Sequence, residues 1–178
     1  MSCTKSTIAS FMLLMLMGNT VVALAEAPIE KHNYNSLVLD ITVTGDSTVT
    51  GDLAENEVKI AKFSEYLRDE LQQKTRFNIV KDAASLDKLA AAGENVDLHN
   101  CNGCEQKIAE ELGAELVVMP TVFRMSHLIS ALHLEFKEVE SGKLIKRKVY
   151  DFRGNTDKAW ERVIQYAVRD LKSWDKSN

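Results

Sequence analysis

The cysteines Cys101 and Cys104 combine a residue type and a spacing that are suited to chemistry. Both lie in a CNGC loop that leads into a short helical pattern ending at Gly113. Two cysteines separated by two residues can form a local disulfide, exchange that disulfide with other thiols, or bind a metal ion. The residue types alone leave these three interpretations open.

A local disulfide would hold the loop in place before the helix. Closing so small a ring stabilises a fold by only about 2 kcal/mol on the chain-entropy model. Redox exchange is the second interpretation, because a helix N-terminus stabilises a thiolate. A thioredoxin-like CxxC belongs to a βαβ pattern, whereas no predicted strand runs directly into Cys101.

A metal site would add His99, since His99, Cys101 and Cys104 form an H-x-C-x-x-C pattern. Two thiolates suit Cu(I), and two thiolates with an imidazole and a fourth ligand suit Zn(II). Covalent attachment of a c-type haem is excluded, because Glu105 follows Cys104 where a histidine is required. Copper or zinc is therefore the alternative cofactor, whereas the disulfide interpretation requires none.

A predicted hairpin near the end of the chain is strongly basic. Its cationic residues are Lys143, Lys146, Arg147 and Lys148. Such charges often protect an edge strand from pairing with another sheet, and they can also dock an acidic partner. The sequence contains no HExxH motif, no Ser-His-Asp order and no paired carboxylates at a catalytic spacing, so it names no catalytic residue.

A predicted α/β fold positions these residues. Apolar residues at every second position predict strands, and apolar residues three and four apart predict helices. The resulting order is β-α-β-α-α-β-β-β-α, a two-layer sandwich with helices packed on a mixed sheet of about five strands. The predicted strands cover residues 37–43, 77–80, 116–119, 126–139 and 144–152, and the predicted helices cover residues 52–74, 82–92, 104–112 and a final segment capped at 155 or 156.

Three features of this fold carry specific expectations. Leu37, Leu39, Ile41 and Val43 alternate with other residues and are expected on one face of the first strand. Gly93 is expected to end the second helix in a left-handed conformation. Pro120 cannot donate a hydrogen bond within a sheet, so a bulge or a sheet edge is expected beside it.

Residues 1–25 have the pattern of a secretory signal peptide. Lys5 gives a positive start, residues 8–17 are apolar, and Ala23-Leu24-Ala25 is a small-x-small cleavage site. The apolar run is shorter than the about 20 residues of a membrane span. We therefore predict that residues 26–178 form one soluble periplasmic domain, with no stable membrane span after cleavage.

The charge balance argues against a nucleic-acid partner. The chain has 22 Lys and Arg residues against 26 Asp and Glu residues, a formal net charge of −4. Affinity for nucleic acid depends on basic side chains that neutralise phosphates. An acidic chain also fits poorly with an anionic membrane surface, so the expected partner is another periplasmic protein.

Residues 101–118 (CNGCEQKIAEELGAELVV) and 153–160 (RGNTDKAW) resemble an exported bacterial family, the domain of unknown function 3280. The element order also resembles the amino-terminal domain of TolB and the curli-secretion lipoproteins, which are envelope domains. Those domains bind other proteins, so the resemblance implies binding and not catalysis. The predicted function is thus an exported periplasmic accessory protein with a local disulfide. The alternative is a periplasmic protein that handles copper, zinc or thiols through Cys101 and Cys104.

Overall fold

The computed structural model describes residues 33–45 and 53–174. The predicted signal peptide and the predicted helix cap at Asp52 lie outside the described residues. The elements are the strands β1 (Tyr34–Val38), β2 (Thr42–Gly45), β3 (Phe77–Ile79), β4 (Leu116–Arg124), β5 (Ile129–Glu138) and β6 (Leu144–Arg153) and the helices α1 (Leu53–Lys74), α2 (Ala83–Asn95), α3 (Cys104–Glu111) and α4 (Asp157–Asp170). None of these described helices has the length and apolar content needed to cross a bilayer.

The described strands form one mixed sheet in the order β3-β1-β4-β5-β6, and β2 also pairs with β4. β1 and β2 run parallel to β4, whereas β5 is antiparallel to β4 and β6. Helices α1 and α4 pack on one face of the sheet, and α2 and α3 pack on the other. The predicted α/β class, with helices packed on a mixed sheet, is confirmed, and β6 forms one edge.

The face under α1 and α4 holds the larger core. Thr156 begins α4, because its side chain accepts a hydrogen bond from the N–H of Ala159 at 3.2 Å. The predicted apolar stripe of this last segment is buried: Trp160, Val163, Ile164, Ala167, Leu171 and Trp174. Trp160 stacks on Phe63 of α1 with ring centroids 5.2 Å apart. Burial of these large rings fixes both helices on the sheet.

The break between β1 and β2 lies beside Pro120. The N–H of Leu39 donates to the carbonyl of Val118 at 3.0 Å, and in a parallel ladder Leu39 would accept in turn from residue 120. Proline has no N–H to give, so the ladder stops there. Val38 pairs with Val118 and Thr42 with Thr121, so the β1–β2 segment contains one extra residue. The predicted irregularity at Pro120 is a bulge in the neighbouring strand.

This extra residue reverses the side chains that follow it. Leu37 and Leu39 pack in the cluster under α2 and α3, as expected for one face. Ile41 packs instead on the opposite face, in the cluster under α1 and α4. Val43 packs against the same cluster as Ile41. The expectation that all four share a face is wrong, because alternation is lost across a bulge.

Two predicted boundaries are also wrong. Gly93 does not end α2, which continues to Asn95, and its φ is not positive. The strand predicted from residue 126 begins at Ile129, because residues 125–128 form the connection from β4. Leu128 is 71% exposed and therefore does not belong to the apolar face of β5. The helical hydrogen bonds of α2 thus extend past the predicted stop at Gly93, whereas the predicted strand begins before the hydrogen bonds of β5 do.

Candidate functional site

The loop before α3 is held by the side chain of Asp97. Its carboxylate accepts hydrogen bonds from the side-chain amide of Asn100 at 2.6 Å and from the backbone N–H of His99 at 2.9 Å. These two bonds, with that from Asn100 the stronger, hold the pKa of Asp97 below its ordinary value. Gly103 then precedes α3 with a φ of 91°, in the left-handed region that glycine adopts without strain. The loop therefore positions both cysteines at the start of the helix.

Cys101 and Cys104 form a disulfide whose Cα atoms are 5.8 Å apart. Both residues are half-buried. Cys104 is the first residue of α3, whereas Cys101 lies in the loop before it. The local disulfide, the first of the three interpretations of this spacing, is therefore present.

Glu105 places a buried negative charge against this disulfide. The residue is 3% exposed, and its Oε2 lies 3.3 Å from the Sγ of Cys101. Its Oε1 accepts a hydrogen bond from the Nζ of Lys137 on β5 at 2.7 Å. A buried carboxylate requires such a partner, because an unpaired charge in the interior is strongly disfavoured. The disulfide, Glu105 and Lys137 thus form one cluster between α3 and β5.

His99 has a different neighbour. Its Nε2 lies 2.8 Å from the carbonyl oxygen of Asp40, at the break between β1 and β2. Among the described residues, the ligand atoms that lie within 4.8 Å of one another belong to Cys101, Cys104 and Glu105. The structure therefore brings together Cys101 and Cys104, two of the three predicted metal ligands. The imidazole of His99 instead connects the loop to the segment between β1 and β2.

The basic residues of the predicted hairpin lie on or beside the edge strand β6; they are Lys143, Lys146, Arg147 and Lys148. Arg147 pairs with Glu135 of β5 at 2.6 Å. Lys148 pairs with Asp170 at the end of α4 at 2.9 Å. Neighbouring residues of a strand point to opposite faces, so these cations do not form a single surface.

A second concentration of positive charge lies between β6 and α4. The two elements border a groove of about 670 Å³. Its cationic lining residues are Arg153, Lys158, Arg162 and Arg169. Asp151 is the acidic residue of the lining, and within residues 33–45 and 53–174 none of the four cations forms an ion pair. We name this feature the β6–α4 groove.

Comparison with protein families decides the classification. The sequence profile of the family DUF3280, described as "Protein of unknown function (DUF2380)", matches residues 36–171. The chain belongs to the DUF3280 family. The family resemblance carried by the CNGCE and RGNTD segments is thereby confirmed. Among curated proteins, no significant relative matches the chain.

Solved structures share the fold of this DUF3280 protein. The LpoB C-terminal domain from Salmonella enterica is 20% identical with a TM-score of 0.50, and the match covers 70% of this chain and 86% of that one. The corresponding domain from Escherichia coli gives 18% identity, a TM-score of 0.50 and the same coverage. The hypothetical protein CT253 from Chlamydia trachomatis is 14% identical with a TM-score of 0.51, and the match covers 82% of this chain and 99% of that one. These identities establish an LpoB-like fold alone; the likeness to TolB stays a prediction.

The disulfide bears directly on the metal hypothesis for this DUF3280 protein. A disulfide offers no thiolate, so copper or zinc could bind Cys101 and Cys104 only after reduction. The ammonium of Lys137, 2.7 Å from Glu105, opposes a second cation at that carboxylate. The donor set thus fits a metal poorly in this arrangement, and copper or zinc stays a prediction.

Two parts of the site are absent from the residues predicted by the sequence, and only one of them leaves no signal there. Glu105 reads as an ordinary acidic residue in a first helical turn, and Lys137 as a polar position on a strand. Their contact joins residues 32 positions apart. For the β6–α4 groove a signal was available, since Lys158, Arg162 and Arg169 recur at helical spacing on the face opposite the apolar stripe.

Proposed function

We propose that this DUF3280 protein is an exported accessory protein that acts by binding another protein. In this proposal residues 1–25 are its signal peptide and residues 26–178 its single domain. The positive start, apolar run and small-x-small site support export. The Cys101–Cys104 disulfide supports an oxidising compartment such as the periplasm, because disulfides persist there and are rare in the cytosol.

The observation that carries the binding role is the β6–α4 groove. On α4, Lys158, Arg162 and Arg169 are exposed and share one face of the helix. Like charges four residues apart repel each other and destabilise a helix. A partner that supplies negative charge removes this repulsion, so the groove is suited to an acidic segment.

The shape of the groove favours an extended segment. β6 is an edge strand, and such an edge can pair with a strand from another protein through backbone hydrogen bonds. A segment added there would lie along the cations of α4. Tyr166 is 55% exposed and contacts the guanidinium of Arg169, which lies 5.4 Å from the ring centroid. This ring offers an apolar contact within the basic groove.

In this proposal the hairpin cations lie beside the binding site and are not its main contacts, because Arg147 and Lys148 already form ion pairs. The partner class is therefore a protein with an acidic, extended segment. Attraction of that kind raises the association rate and weakens as salt is added.

Photo-crosslinking in the native cells tests this assignment. A photoreactive amino acid at Tyr166 is expected to capture one protein partner through an acidic segment. The double substitution R162E/R169E should abolish the cross-link. The matched charge reversal Lys107→Glu, on the exposed side of α3, should leave it unchanged. A synthetic peptide of the captured segment should bind the purified protein more weakly at high salt.

Three outcomes would contradict the proposal. The first is a cross-link that persists in R162E/R169E, because the cations would then not be needed. The second is a captured segment that is basic or apolar. The third is the absence of any cross-linked protein at Tyr166 in cells that contain the folded chain.

A further inference from the structure

The surroundings of the disulfide distinguish its two sulfur atoms. The Sγ of Cys101 lies 3.3 Å from Oε2 of Glu105 and 3.6 Å from the carbonyl oxygen of Leu98. Cys104 is the first residue of α3, where the helix dipole and the free N–H groups favour negative charge. A thiolate is therefore disfavoured at Cys101 and favoured at Cys104.

Glu105 is placed for a hydrogen bond that only the reduced protein can form. Its Oε1 accepts from Lys137, while its Oε2 faces Cys101 and contacts no hydrogen-bond donor among the described residues. A disulfide sulfur carries no hydrogen, whereas a thiol does. A buried acceptor without a donor is unfavourable. Reduction of the disulfide would give Oε2 an S–H donor, and this bond stabilises the reduced form.

We propose that Cys101–Cys104 is a redox-active disulfide that oxidises the dithiol of a partner protein, with Glu105 as the positioning residue for the Cys101 thiol. This inference goes beyond the proposed function and does not depend on the β6–α4 groove. It assigns chemistry to the cluster of Cys101, Cys104, Glu105 and Lys137, whose charged members a purely structural disulfide does not require.

The exchange proceeds in two steps. A thiolate of the partner attacks the Sγ of Cys101, the S–S bond breaks, and Cys104 leaves as a thiolate at the start of α3. The second partner thiolate then attacks the partner sulfur of the mixed disulfide and releases Cys101. Two electrons pass from the partner dithiol to the two cysteines and the partner gains a disulfide; one of its two protons finishes on Cys101, and the other goes to the solvent while Cys104 stays a thiolate.

Lys137 holds Glu105 in the orientation that this role requires. Its ammonium, 26% exposed, neutralises the buried carboxylate and fixes the direction of its two oxygens. The ion pair thereby holds Oε2 of Glu105 toward the Sγ of Cys101.

Variants with a single cysteine test the difference between the sulfurs. Cys104→Ala leaves Cys101 as a thiol, and Cys101→Ala leaves Cys104. Alkylation by iodoacetamide at pH 7 follows the thiolate fraction. We expect Cys104 to react roughly tenfold faster than Cys101, because a thiol whose pKa is about one lower has a roughly tenfold larger thiolate fraction at pH 7. Equal rates, or a faster Cys101, would overturn the proposal.

Glu105→Gln tests the source of the difference. In the Cys104→Ala background, this substitution should raise the alkylation rate of Cys101 roughly tenfold, because the neighbouring negative charge is removed. The matched substitution Glu110→Gln changes an exposed carboxylate of the same helix and should leave the rate unchanged. Equal effects would show that Glu105 is structural. Where circular dichroism shows Glu105→Gln to be unfolded, the comparison of the single-cysteine variants decides.

Reduction of the native disulfide gives a third readout. The mature protein is equilibrated with mixtures of reduced and oxidised glutathione, and its free thiols and its circular dichroism are followed together. We expect the Cys101–Cys104 disulfide to be reduced while the fold stays intact, in glutathione mixtures that leave ordinary structural disulfides oxidised. A disulfide that opens only as the chain unfolds would overturn the proposal. So would zinc or Cu(I) that binds the reduced protein in equal amount and is lost in Glu105→Gln, because the cluster would then be a metal site.

Discussion

The guanidinium of Arg68 donates two hydrogen bonds to the carbonyl oxygen of Val38, from Nε at 3.0 Å and from Nη2 at 2.9 Å. This carbonyl is at the last residue of β1, where the sheet is interrupted. On the far side of the break, the N–H of Ile41 donates to the Oγ of Ser64 at 2.8 Å. Two side chains of α1 thus replace bonds that a continuous strand would make within the sheet.

Substitution of Arg68 by Met should therefore destabilise the protein by about 1–3 kcal/mol, since it leaves the carbonyl of Val38 without its donors. The measurement is the free energy of unfolding in urea. Arg68 also pairs with the carboxylate of Asp40 at 2.8 Å. Because that carboxylate is 65% exposed, Asp40→Asn should cost far less. Equal losses in the two variants would assign the effect to the ion pair and contradict the role of the carbonyl.

Gly93 and Gly113 should respond in opposite directions to alanine. Gly93 lies within α2, and a Cβ there would meet only the side chain of Leu98 at 4.0 Å. Gly93→Ala should raise the free energy of unfolding by about 0.5–1 kcal/mol, since glycine is a poor helix former. Gly113 follows α3 with a φ of 68°. Gly113→Ala should lower the stability by about 1–2 kcal/mol, because alanine is strained in that region.

Thermal and urea unfolding of these two variants provide the check. The ordinary role of glycine at a helix end would make Gly93→Ala destabilising as well. A loss of stability in Gly93→Ala would therefore show that α2 ends earlier than the structure places it.

The pH dependence of stability should include a contribution from Asp170. The hydrogen bond from Lys148, followed by that from Tyr150, holds the pKa of Asp170 below its ordinary value of 3.8. A lowered pKa in the folded state stabilises the protein above the ordinary value, and this contribution is lost as the pH falls through the lowered one. Asp170→Asn should thus cost stability at pH 7 and little at pH 2, as measured by urea unfolding. The exposed Asp151→Asn serves as the control, and a cost for Asp170→Asn that stays constant with pH would rule the linkage out.

The sequence predicts elements well where a long apolar pattern coincides with a cap. In α4, the hydroxyl of Thr156 and the stripe that begins at Trp160 agree on the same helix. In the first strand the pattern fails at Ile41, because the reversal of its side chain depends on Pro120, which lies far along the chain. A bulge of this kind depends on the hydrogen bonds of two strands at once, and no single segment contains that information.

The candidate site also contains some features that the sequence predicts and others that it does not. The spacing of Cys101 and Cys104 permits their disulfide, which was one of three interpretations, because only local backbone geometry is involved. The position of His99 beside the cysteines suggests a shared site, yet its ring bonds to the backbone carbonyl of Asp40, between β1 and β2. Glu105 acquires its role through Lys137, and a contact over 32 positions follows from packing and not from spacing. The fold class was thus accessible from the sequence, while the partners of charged side chains were not.

The interruption opposite Pro120 also bears on how the sheet avoids misalignment. A strand of uniform alternation can slide along its neighbour and pair again with other residues. Here a displacement of β1 by one residue would move Leu37 and Leu39 away from the core that receives them, and it would separate Val38 from Arg68. Every shifted alignment therefore loses apolar contacts and side-chain hydrogen bonds together. The extra residue between β1 and β2 therefore fixes the register of the central strands.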